Sequence, residues 1–374
     1  MANKQAASGR RIPWAKAEFW GNEEKYVIDA LQSSWISGGP YVERLEAACA
    51  QLLGVPHALA VANGTAALDL AFLALDVKPG DEIIVPGFAF MAAANVALQK
   101  GAVPVFCDVD PRTWCIQPKA VEKLISKRTR AIVAVHSYGN MCDMPGLLAL
   151  AAAHDIPLIE DAAEAFGSRM GSLMAGARGQ INTFSFHATK TVTTGEGGLV
   201  TTHDSGLAER MRLYRSHGLR RHRHYWHELP GHNFRLTNLQ AALGVAQLEK
   251  IETILEQRNR MYRRYKERLL SIPGTQMQMI TETCEAAIWA IALKLDAATF
   301  PQGRDDVMSA LSNKGIETRP GFQPPAEMDY FGPSSVPVSE DLGRWVISLP
   351  SYPSLTDGEI DYICNELAML GKAG

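Results

Sequence analysis

The chain has 374 residues, of which 47% are hydrophobic and 21% are charged, a composition typical of a globular protein with ample apolar material for a core. The formal net charge of −3 gives no overall attraction to nucleic acid or to an anionic membrane. No run approaches the roughly 18 apolar residues of a membrane span, and the first residues lack the apolar stretch of a signal peptide. Together with six scattered cysteines that form no Cys-x-x-Cys pair, these features predict a cytoplasmic protein with reduced thiols.

Short apolar runs alternate with longer helical patterns through the first two-thirds of the chain. The patterns predict helices at residues 65–75 and 91–99, and strands at residues 57–62, 81–86, 103–108, 131–135 and 156–160. This alternation predicts a largely parallel sheet with helices on both faces. In such sheets ligands bind beyond the carboxyl ends of the strands, and the residues that follow these ends include Gly64, Thr65, Phe90 and Asp161.

The pattern changes near residue 250. A long helical stretch over residues 241–265 is predicted to carry the chain out of the first domain. A strand at 288–294 and helices at 305–314 and 357–370 then predict a compact α+β unit. We therefore expect a large α/β domain over residues 1–250, with an N-terminal arm, and a smaller α+β domain over residues 251–374.

Lys190 and Asp161 are the most informative pair of side chains. Lys190 lies in the run Ser185-Phe-His-Ala-Thr-Lys190, and Asp161 stands upstream at the end of an apolar run. A lysine that can form a Schiff base and an aspartate that can keep a pyridine nitrogen protonated are the two groups that pyridoxal phosphate requires of a protein. Most buried lysines and aspartates are ion-paired structural groups, so the prediction that both are catalytic depends on their occurring together.

Gly64 and Thr65 follow a predicted strand and open a predicted helix. Backbone N–H groups at a helix N-terminus, beside a glycine that lets the chain approach closely, form a seat for a phosphate. A plain strand-to-helix turn is the alternative interpretation of the same residues.

Three segments that occur in order along the chain resemble the DegT/DnrJ/EryC1/StrS family of sugar aminotransferases: Asn63–Leu68, Ser185–Gly198 and Gly231–Ala242. The resemblance covers nearly the whole chain and implies the fold type I, aspartate aminotransferase-like architecture. It also implies pyridoxal 5'-phosphate as cofactor, with pyridoxamine phosphate as its aminated form, and a homodimer with shared active sites. Relatives that dehydrate sugars have histidine where this chain has Lys190, so the resemblance indicates amino transfer.

The resemblance also assigns residues to the cofactor. Phe90 corresponds to an aromatic ring that stacks on the cofactor, and Ser185 adds a hydroxyl at the phosphate. Asn233 is expected to reach the same phosphate from the neighbouring subunit, with Arg235 and Asn238 as alternatives in the same segment. Glu164 occupies a position near the cofactor where the family has Glu, Gln or His. The complete predicted cofactor set is Gly64, Thr65, Phe90, Asp161, Glu164, Ser185, Lys190 and Asn233.

Three residues are predicted to contact the substrate. His187 is three residues from Lys190, although a histidine in such a place is more often structural. Arg319 lies in a segment that resembles the part of the family that returns to the substrate pocket. Arg220 belongs to the basic stretch His217–His227, which is either a solvated loop or a loop whose cations meet the diphosphate of a nucleotide sugar. No spacing of carboxylates or cysteines predicts a metal site.

The substrate prediction rests on two further segments, Ser34–Gly39 and Thr318–Phe322. They resemble most the family members that aminate C4 of a GDP-linked 4-keto-6-deoxy sugar, with glutamate as donor and 2-oxoglutarate as product. Three alternatives stay open: amination at C3 of a nucleotide sugar, amination of a cyclitol or aminoshikimate-type ring, and a non-catalytic regulator that keeps the fold.

Overall fold

The computed structural model describes residues 11–220, 223–280 and 283–371. Along these residues the strands are β1 (His57–Val61), β2 (Glu82–Pro86), β3 (Val103–Cys107), β4 (Thr129–Val135), β5 (Leu158–Asp161), β6 (Arg169–Met170), β7 (Leu173–Met174), β8 (Ile181–Ser185), β9 (Gly198–Thr202), β10 (Thr275–Met277), β11 (Cys284–Glu285), β12 (Ile291–Leu295), β13 (Arg319–Pro320) and β14 (Val346–Leu349).

The α-helices of the same described ranges are α1 (Glu23–Gln32), α2 (Pro40–Leu53), α3 (Gly64–Ala74), α4 (Ala92–Gln99), α5 (Pro118–Glu122), α6 (Met144–Ala153), α7 (Ser205–Arg215), α8 (Asn238–Leu248), α9 (Ile251–Leu269), α10 (Arg304–Asn313), α11 (Pro337–Trp345) and α12 (Asp357–Leu370). None of these helices is long and apolar enough to cross a lipid bilayer. The six cysteines are free and buried.

A seven-stranded sheet in the order β1-β9-β8-β5-β4-β2-β3 forms the centre of the molecule. β9 runs antiparallel to both of its neighbours, whereas the other neighbouring pairs are parallel. The predicted mostly parallel sheet is therefore confirmed, and its carboxyl edge gathers the ends of β1, β2, β4, β5 and β8.

The central strands are buried on both faces. In β4, Ile132 and Ala134 pack into one hydrophobic core, while Ala131 and Val133 pack into a second core. Successive side chains of a strand point to opposite faces, so helices must cover both sides of the sheet. This explains why these strands are nearly continuous apolar runs rather than alternating ones.

A four-stranded antiparallel sheet, β10-β12-β14-β13, forms the second unit. It has its own core with α9, α10 and α12, to which Tyr265 and Leu311 contribute. Ile12, from the predicted large domain, also packs in this core and pairs with Ile316. We retain a boundary near residue 250 as a proposal, with the N-terminal arm packed on the smaller unit.

Two predicted elements differ from the structure. The helical stretch predicted over 241–265 is two helices, since α8 ends at Leu248 and α9 starts at Ile251. The break follows from packing, because α8 lies against α1 and α2 whereas α9 lies against α12. The strand predicted from residue 288 starts only at Ile291, because Arg258 binds the carbonyl oxygens of Ile288 and Trp289.

Candidate active site

A cavity of about 500 Å³ opens at the carboxyl edge of the central sheet. Three of its lining residues, Val135, Asp161 and Ser185, are the last residues of the adjacent parallel strands β4, β5 and β8. The remaining lining residues come from the N-terminal arm, from the start of α3, from the turns after β2, β5 and β8, and from the second unit. The cavity therefore lies where the parallel sheet predicts a ligand site.

Lys190 lies in the turn that follows β8, and its side chain is mostly buried. The turn is closed by the Lys190 N–H, which donates to the carbonyl oxygen of His187 at 2.9 Å. The Lys190 Nζ is 3.7 Å from Oε1 of Glu164 and 3.6 Å from the centroid of the Trp289 ring. The amine thus lies between a carboxylate and an aromatic face.

Asp161 and Glu164 are two buried carboxylates beside one buried amine. An Asp161 oxygen accepts from the Ala163 N–H at 3.1 Å, and Glu164 Oε2 accepts from the Tyr138 N–H at 2.8 Å. Burial raises the pKa of both carboxyls, although the charge of Lys190 opposes this shift. Burial lowers the pKa of Lys190, and the two carboxylates oppose that shift. The net direction of the Lys190 pKa is downward, because burial outweighs the two carboxylates.

Donors for an anion lie at the start of α3. Asn63 caps this helix, because its side chain accepts from the Ala66 N–H at 2.8 Å and its carbonyl oxygen accepts from the Ala67 N–H at 3.1 Å. Within the described ranges the amides of Gly64 and Thr65 have no acceptor. Helix-terminal N–H groups without acceptors attract an anion such as a phosphate.

Ser185 completes this seat from β8. A Cβ atom added at Gly64 would lie 3.0 Å from the Ser185 Cβ, so the first turn of α3 and the end of β8 touch directly. The Ser185 hydroxyl oxygen also accepts from the His187 N–H at 3.3 Å, which leaves its own proton for another acceptor. The predicted grouping of Gly64, Thr65 and Ser185 around one space is thus present.

Phe90 lines the cavity and exposes 69% of its surface, whereas Phe88, two residues earlier, is fully buried. A large aromatic ring left open in a cavity offers a face for a planar group. His187 and Arg319 also line the cavity. His187 Nε2 lies 3.7 Å from Glu196, and Arg319 pairs with Glu317.

Asn233 and Arg220 are not among the residues that line this cavity. Asn233 is exposed, and its side-chain oxygen accepts from the Arg235 Nε at 3.0 Å. Arg220 is paired with Glu228, with Nη2 2.6 Å from Oε1. The predicted cofactor contact of Asn233 and the predicted substrate contact of Arg220 are therefore not made to the cavity of their own chain.

The basic stretch at residues 217–227 is only partly covered by the structure, because Arg221 and His222 lie outside the described residues. In the described part of this stretch Arg223 packs over the ring of Trp226 at 3.9 Å. No group of three or more metal-ligating side chains gathers within the described residues of the chain.

Sequence reasoning missed several residues of the cavity, among them Trp14, Glu196 and Trp289. Trp289 packs edge-on against Trp14, and its indole N–H donates to the carbonyl oxygen of Thr189 at 2.7 Å. These contacts join parts of the chain that are far apart in sequence. Trp14 lies in the predicted N-terminal arm and Trp289 in the strand predicted at 288–294, and neither position gives a local signal for the cavity.

A second buried pair supports Asp161 from the opposite face of the sheet. His136 Nε2 is 2.8 Å from Oε1 of Glu160, the residue before Asp161. Glu160 also accepts three backbone N–H groups, from Gly176, Arg178 and Gly179. Although burial alone would raise it, the pKa of Glu160 is held below the usual range by His136 and these backbone N–H groups. The strand that ends in Asp161 is thereby fixed.

The residues of the cavity fit pyridoxal phosphate. The free amides of Gly64 and Thr65 and the Ser185 hydroxyl suit its phosphate, and Phe90 offers a face for its ring. The buried Asp161 carboxylate suits a protonated pyridine nitrogen, and the mostly buried amine of Lys190 suits an aldehyde. Fold and site together define the class of fold type I pyridoxal phosphate aminotransferases.

Comparison with known proteins identifies the family within this class. Residues 19–368 match the profile of the DegT/DnrJ/EryC1/StrS aminotransferase family, and the chain belongs to that family. It is 38% identical to the GDP-perosamine synthase of Escherichia coli O157:H7 over 359 residues, which cover 95% of this chain and 97% of that protein. The GDP-perosamine synthase of Caulobacter vibrioides is 39% identical over 358 residues, with coverages of 94% and 96%.

A solved structure agrees with this assignment. Helicobacter pylori PseC, an aminotransferase involved in the biosynthesis of pseudoaminic acid, is 28% identical and superposes with a TM-score of 0.91. The alignment covers 96% of this chain and 99% of that chain. The predicted family, fold class, cofactor and enzyme class are confirmed: the protein is a pyridoxal phosphate-dependent sugar aminotransferase.

Proposed function

We propose that the protein transfers the amino group of glutamate to the C4 ketone of a GDP-linked 4-keto-6-deoxy sugar, as a GDP-perosamine synthase does. The observation that supports amino transfer is the mostly buried Lys190 amine beside the carboxylate of Glu164, in the cavity that Asp161 also lines. The observation that supports this acceptor is the 38% and 39% identity to two GDP-perosamine synthases over almost the whole chain.

In this proposal the cofactor is held at three points. The amides of Gly64 and Thr65 and the hydroxyl of Ser185 bind its phosphate. Asp161 would bind its ring nitrogen and keep that nitrogen protonated, because an ionised carboxylate stabilises a cation beside it. Phe90 covers one face of the ring. When bound, the cofactor supplies an electron sink for the carbon that loses a proton.

Lys190 is the proposed attachment point and the group that moves protons. Burial lowers the pKa of Lys190, so a larger fraction of the amine is neutral and can accept a proton at Nζ. Glu164, 3.7 Å away, then stabilises the ammonium that forms. In the second half of the cycle the same amine would return a proton to the acceptor carbon. The nitrogen taken from glutamate would replace the ketone oxygen, which leaves as water.

We further propose that the active unit is a homodimer in which each cavity receives residues from the partner. Asn233 and Arg220 do not line the cavity of their own chain, which supports contacts across the dimer. Large apolar side chains are also left exposed in α1 and the loop after it, where Leu31 is 60% and Trp35 is 65% exposed. A second copy of the chain would remove this surface from water. Arg220 of one chain would then meet the sugar diphosphate in the other.

The test is a screen of acceptors with glutamate as donor, scored by the mass of the aminated product and by 2-oxoglutarate release. GDP-4-keto-6-deoxymannose is expected to give the product with the highest kcat/KM. The comparison acceptors are the dTDP-linked and UDP-linked 4-keto-6-deoxy sugars, a 3-keto nucleotide sugar and a free keto-cyclitol. Higher activity with any of these would replace the proposed acceptor.

Two variants test the role of Lys190. Lys190→Ala is expected to lose the visible absorbance of the bound cofactor and turnover with glutamate. The matched control is Lys100→Ala, because Lys100 is also mostly buried and pairs with Asp69, and neither residue lines the cavity. Retained turnover in Lys190→Ala would refute the assignment. Failure of the unmodified protein to release 2-oxoglutarate with any acceptor would support the non-catalytic alternative.

A further inference from the structure

Arg258, on α9, is a buried cation next to the site. It is 4% exposed, and its guanidinium points at three backbone carbonyl oxygens. Nη1 donates to Trp289 at 2.9 Å and to Ile288 at 3.3 Å, and Nη2 donates to Lys190 at 3.5 Å. One planar group thus joins the segment of the catalytic lysine to the segment that enters β12.

The burial of this cation is not explained by an ion pair. Among the described residues no carboxylate lies within salt-bridge distance of Arg258, and its Nε has no hydrogen-bond partner. Burial lowers the pKa of Arg258 to about 10, with Glu18 opposing the shift. A buried charge without a counter-ion is costly unless hydrogen bonds compensate it, and here the three backbone carbonyl oxygens are the compensating acceptors.

The three carbonyl contacts have a common geometric result. They hold the backbones of Lys190 and Trp289 at fixed positions on one rigid fork. The Trp289 ring in turn lies 3.6 Å from the Lys190 Nζ. Arg258 therefore contacts the backbones of the two residues whose side chains meet at the Lys190 amine.

The charge of Arg258 acts on the same amine. The groups that face Lys190 are the carboxylates of Asp161 and Glu164, which favour the ammonium, and the guanidinium of Arg258, which disfavours it. Burial remains the largest cause of the lowered pKa of Lys190, and Arg258 acts in the same direction. Removal of the guanidinium charge should therefore raise the pKa of this amine.

We infer that Arg258 is a positioning residue, which sets the orientation of Lys190 relative to Trp289 through the backbone carbonyl oxygens of both. The inference rests on the role proposed for Lys190, and it is independent of which sugar accepts the amine. Arg258 itself touches neither cofactor nor substrate in this account.

The test uses the full-length holoenzyme and the half-reaction with glutamate. Arg258→Met removes the charge and the fork, and Arg258→Lys keeps the charge without the fork. Arg260→Met is the matched control, because Arg260 lies on the same helix and donates to the carbonyl oxygens of Pro353 and Leu355 outside the cavity. The readouts are kcat and KM per bound cofactor, the pH midpoint of the visible absorbance, and the thermal unfolding midpoint.

Arg258→Met is expected to lower kcat roughly 10- to 100-fold while KM for glutamate changes less than about threefold. Its absorbance midpoint should rise by about 0.5 to 1 pH unit, since a cation near the amine is lost. Arg258→Lys should keep the midpoint of the unmodified protein and recover only part of kcat. Arg260→Met should change the unfolding midpoint alone.

The inference is overturned if Arg258→Met matches Arg260→Met in kcat and in absorbance midpoint. If Arg258→Met does not fold, Arg258→Lys decides, and an unchanged kcat per bound cofactor in that variant overturns the inference. Lys190→Ala is measured in parallel. If Lys190→Ala keeps the visible absorbance band of the cofactor, the role of Lys190 is refuted. If Lys190→Ala loses the band but the Arg258 variants behave like the unmodified protein, only the role of Arg258 is refuted.

Discussion

The Lys190 Nζ lies 3.6 Å from the centre of the Trp289 ring, although the two residues are 99 positions apart in sequence. Trp289 also donates its indole N–H to the carbonyl oxygen of Thr189, the residue before Lys190. The tryptophan therefore contacts both the side chain and the backbone of the lysine turn. Substitution of Trp289 should therefore change the reactivity of the Lys190 amine as well as the wall of the cavity.

Trp289→Leu removes both contacts, whereas Trp289→Phe removes only the hydrogen bond. We expect Trp289→Leu to lower kcat/KM for glutamate roughly 10- to 100-fold, because a misplaced reactive group reacts poorly. Trp289→Phe should fall between this variant and the unmodified protein. Stopped-flow measurement of the glutamate half-reaction checks the order of the three proteins.

Trp14→Phe serves as the comparison, since Trp14 lines the same cavity but donates its N–H to Ser348 in β14. It should change kcat/KM for glutamate only slightly. Equal losses of kcat/KM in Trp14→Phe and Trp289→Phe would contradict this prediction. They would show that the hydrogen bond from Trp289 to the lysine turn contributes no more than the hydrogen bond of Trp14.

Asp161→Asn should distinguish the effect of the Asp161 charge on the ring nitrogen from the effect of the size of its side chain. The amide keeps the size of the side chain but cannot stabilise a cation, so we expect kcat to fall by roughly 10²- to 10³-fold. The affinity for pyridoxal phosphate should fall as well, as measured by titration of the cofactor-free chain. Loss of the Asp161 charge should also lower the pKa of Glu164, because the two carboxyls repel each other.

Asp108→Asn is the matched control for this substitution. Asp108 directly follows β3 at the same edge of the sheet, but its oxygens accept from the N–H groups of Val338 and Ser339 at 2.9 and 2.8 Å. It should lower the free energy of unfolding and leave cofactor affinity unchanged. A full loss of cofactor binding in Asp108→Asn, or unchanged kinetics in Asp161→Asn, would contradict the assignment of Asp161.

Local sequence patterns were sufficient to predict the central sheet and most of the cavity. β1 to β5 are apolar runs bounded by turns, and the rule that ligands bind at the carboxyl ends of parallel strands placed Gly64, Phe90 and Asp161 together. Residues close in sequence to Lys190, such as Ser185 and His187, followed from the same turn.

Other features depend on contacts between distant segments and have no local pattern. Arg258 and Lys190 are 68 positions apart, and Trp289 and Thr189 are 100 positions apart. The antiparallel direction of β9 is likewise set by its pairing with β1 and β8, and the residues of β9 read like those of any buried strand. Only the folded chain shows these relationships.

Glu160→Gln tests the buried support behind Asp161. The carboxylate accepts four donors, and an amide would bring an N–H against one of them, at a cost of about 2–5 kcal/mol in the free energy of unfolding. Urea denaturation near neutral pH measures this loss. An unchanged unfolding free energy would contradict the view that the carboxylate fixes β5.

The same residue predicts a pH dependence of stability. The pKa of Glu160 in the folded protein is lower than that of an unfolded glutamate, about 4.3. Its contribution is therefore fully present above the unfolded pKa and is lost as the pH falls through the lower, folded pKa. Glu160→Gln should lose less stability than the unmodified protein between about pH 5 and pH 3. Equal losses in the two proteins over this range would contradict the prediction.

Gly198→Ala tests the close approach that shapes the phosphate seat. A Cβ atom at Gly198, the first residue of β9, would lie 2.7 Å from the carbonyl carbon and oxygen of Asn63 and 2.8 Å from the carbonyl oxygen of Phe184. Backbone atoms would have to move, and Asn63 caps the helix whose free amides face the cavity. We expect a loss of about 1–3 kcal/mol in unfolding free energy together with weaker binding of pyridoxal phosphate.

The control is Gly358→Ala in α12, where an added Cβ meets no atom within 4 Å. Because alanine favours a helix more than glycine does, this variant should be neutral or stabilised by up to about 1 kcal/mol. Undiminished cofactor affinity in a folded Gly198→Ala protein would mean that the position of Asn63 does not control the phosphate seat.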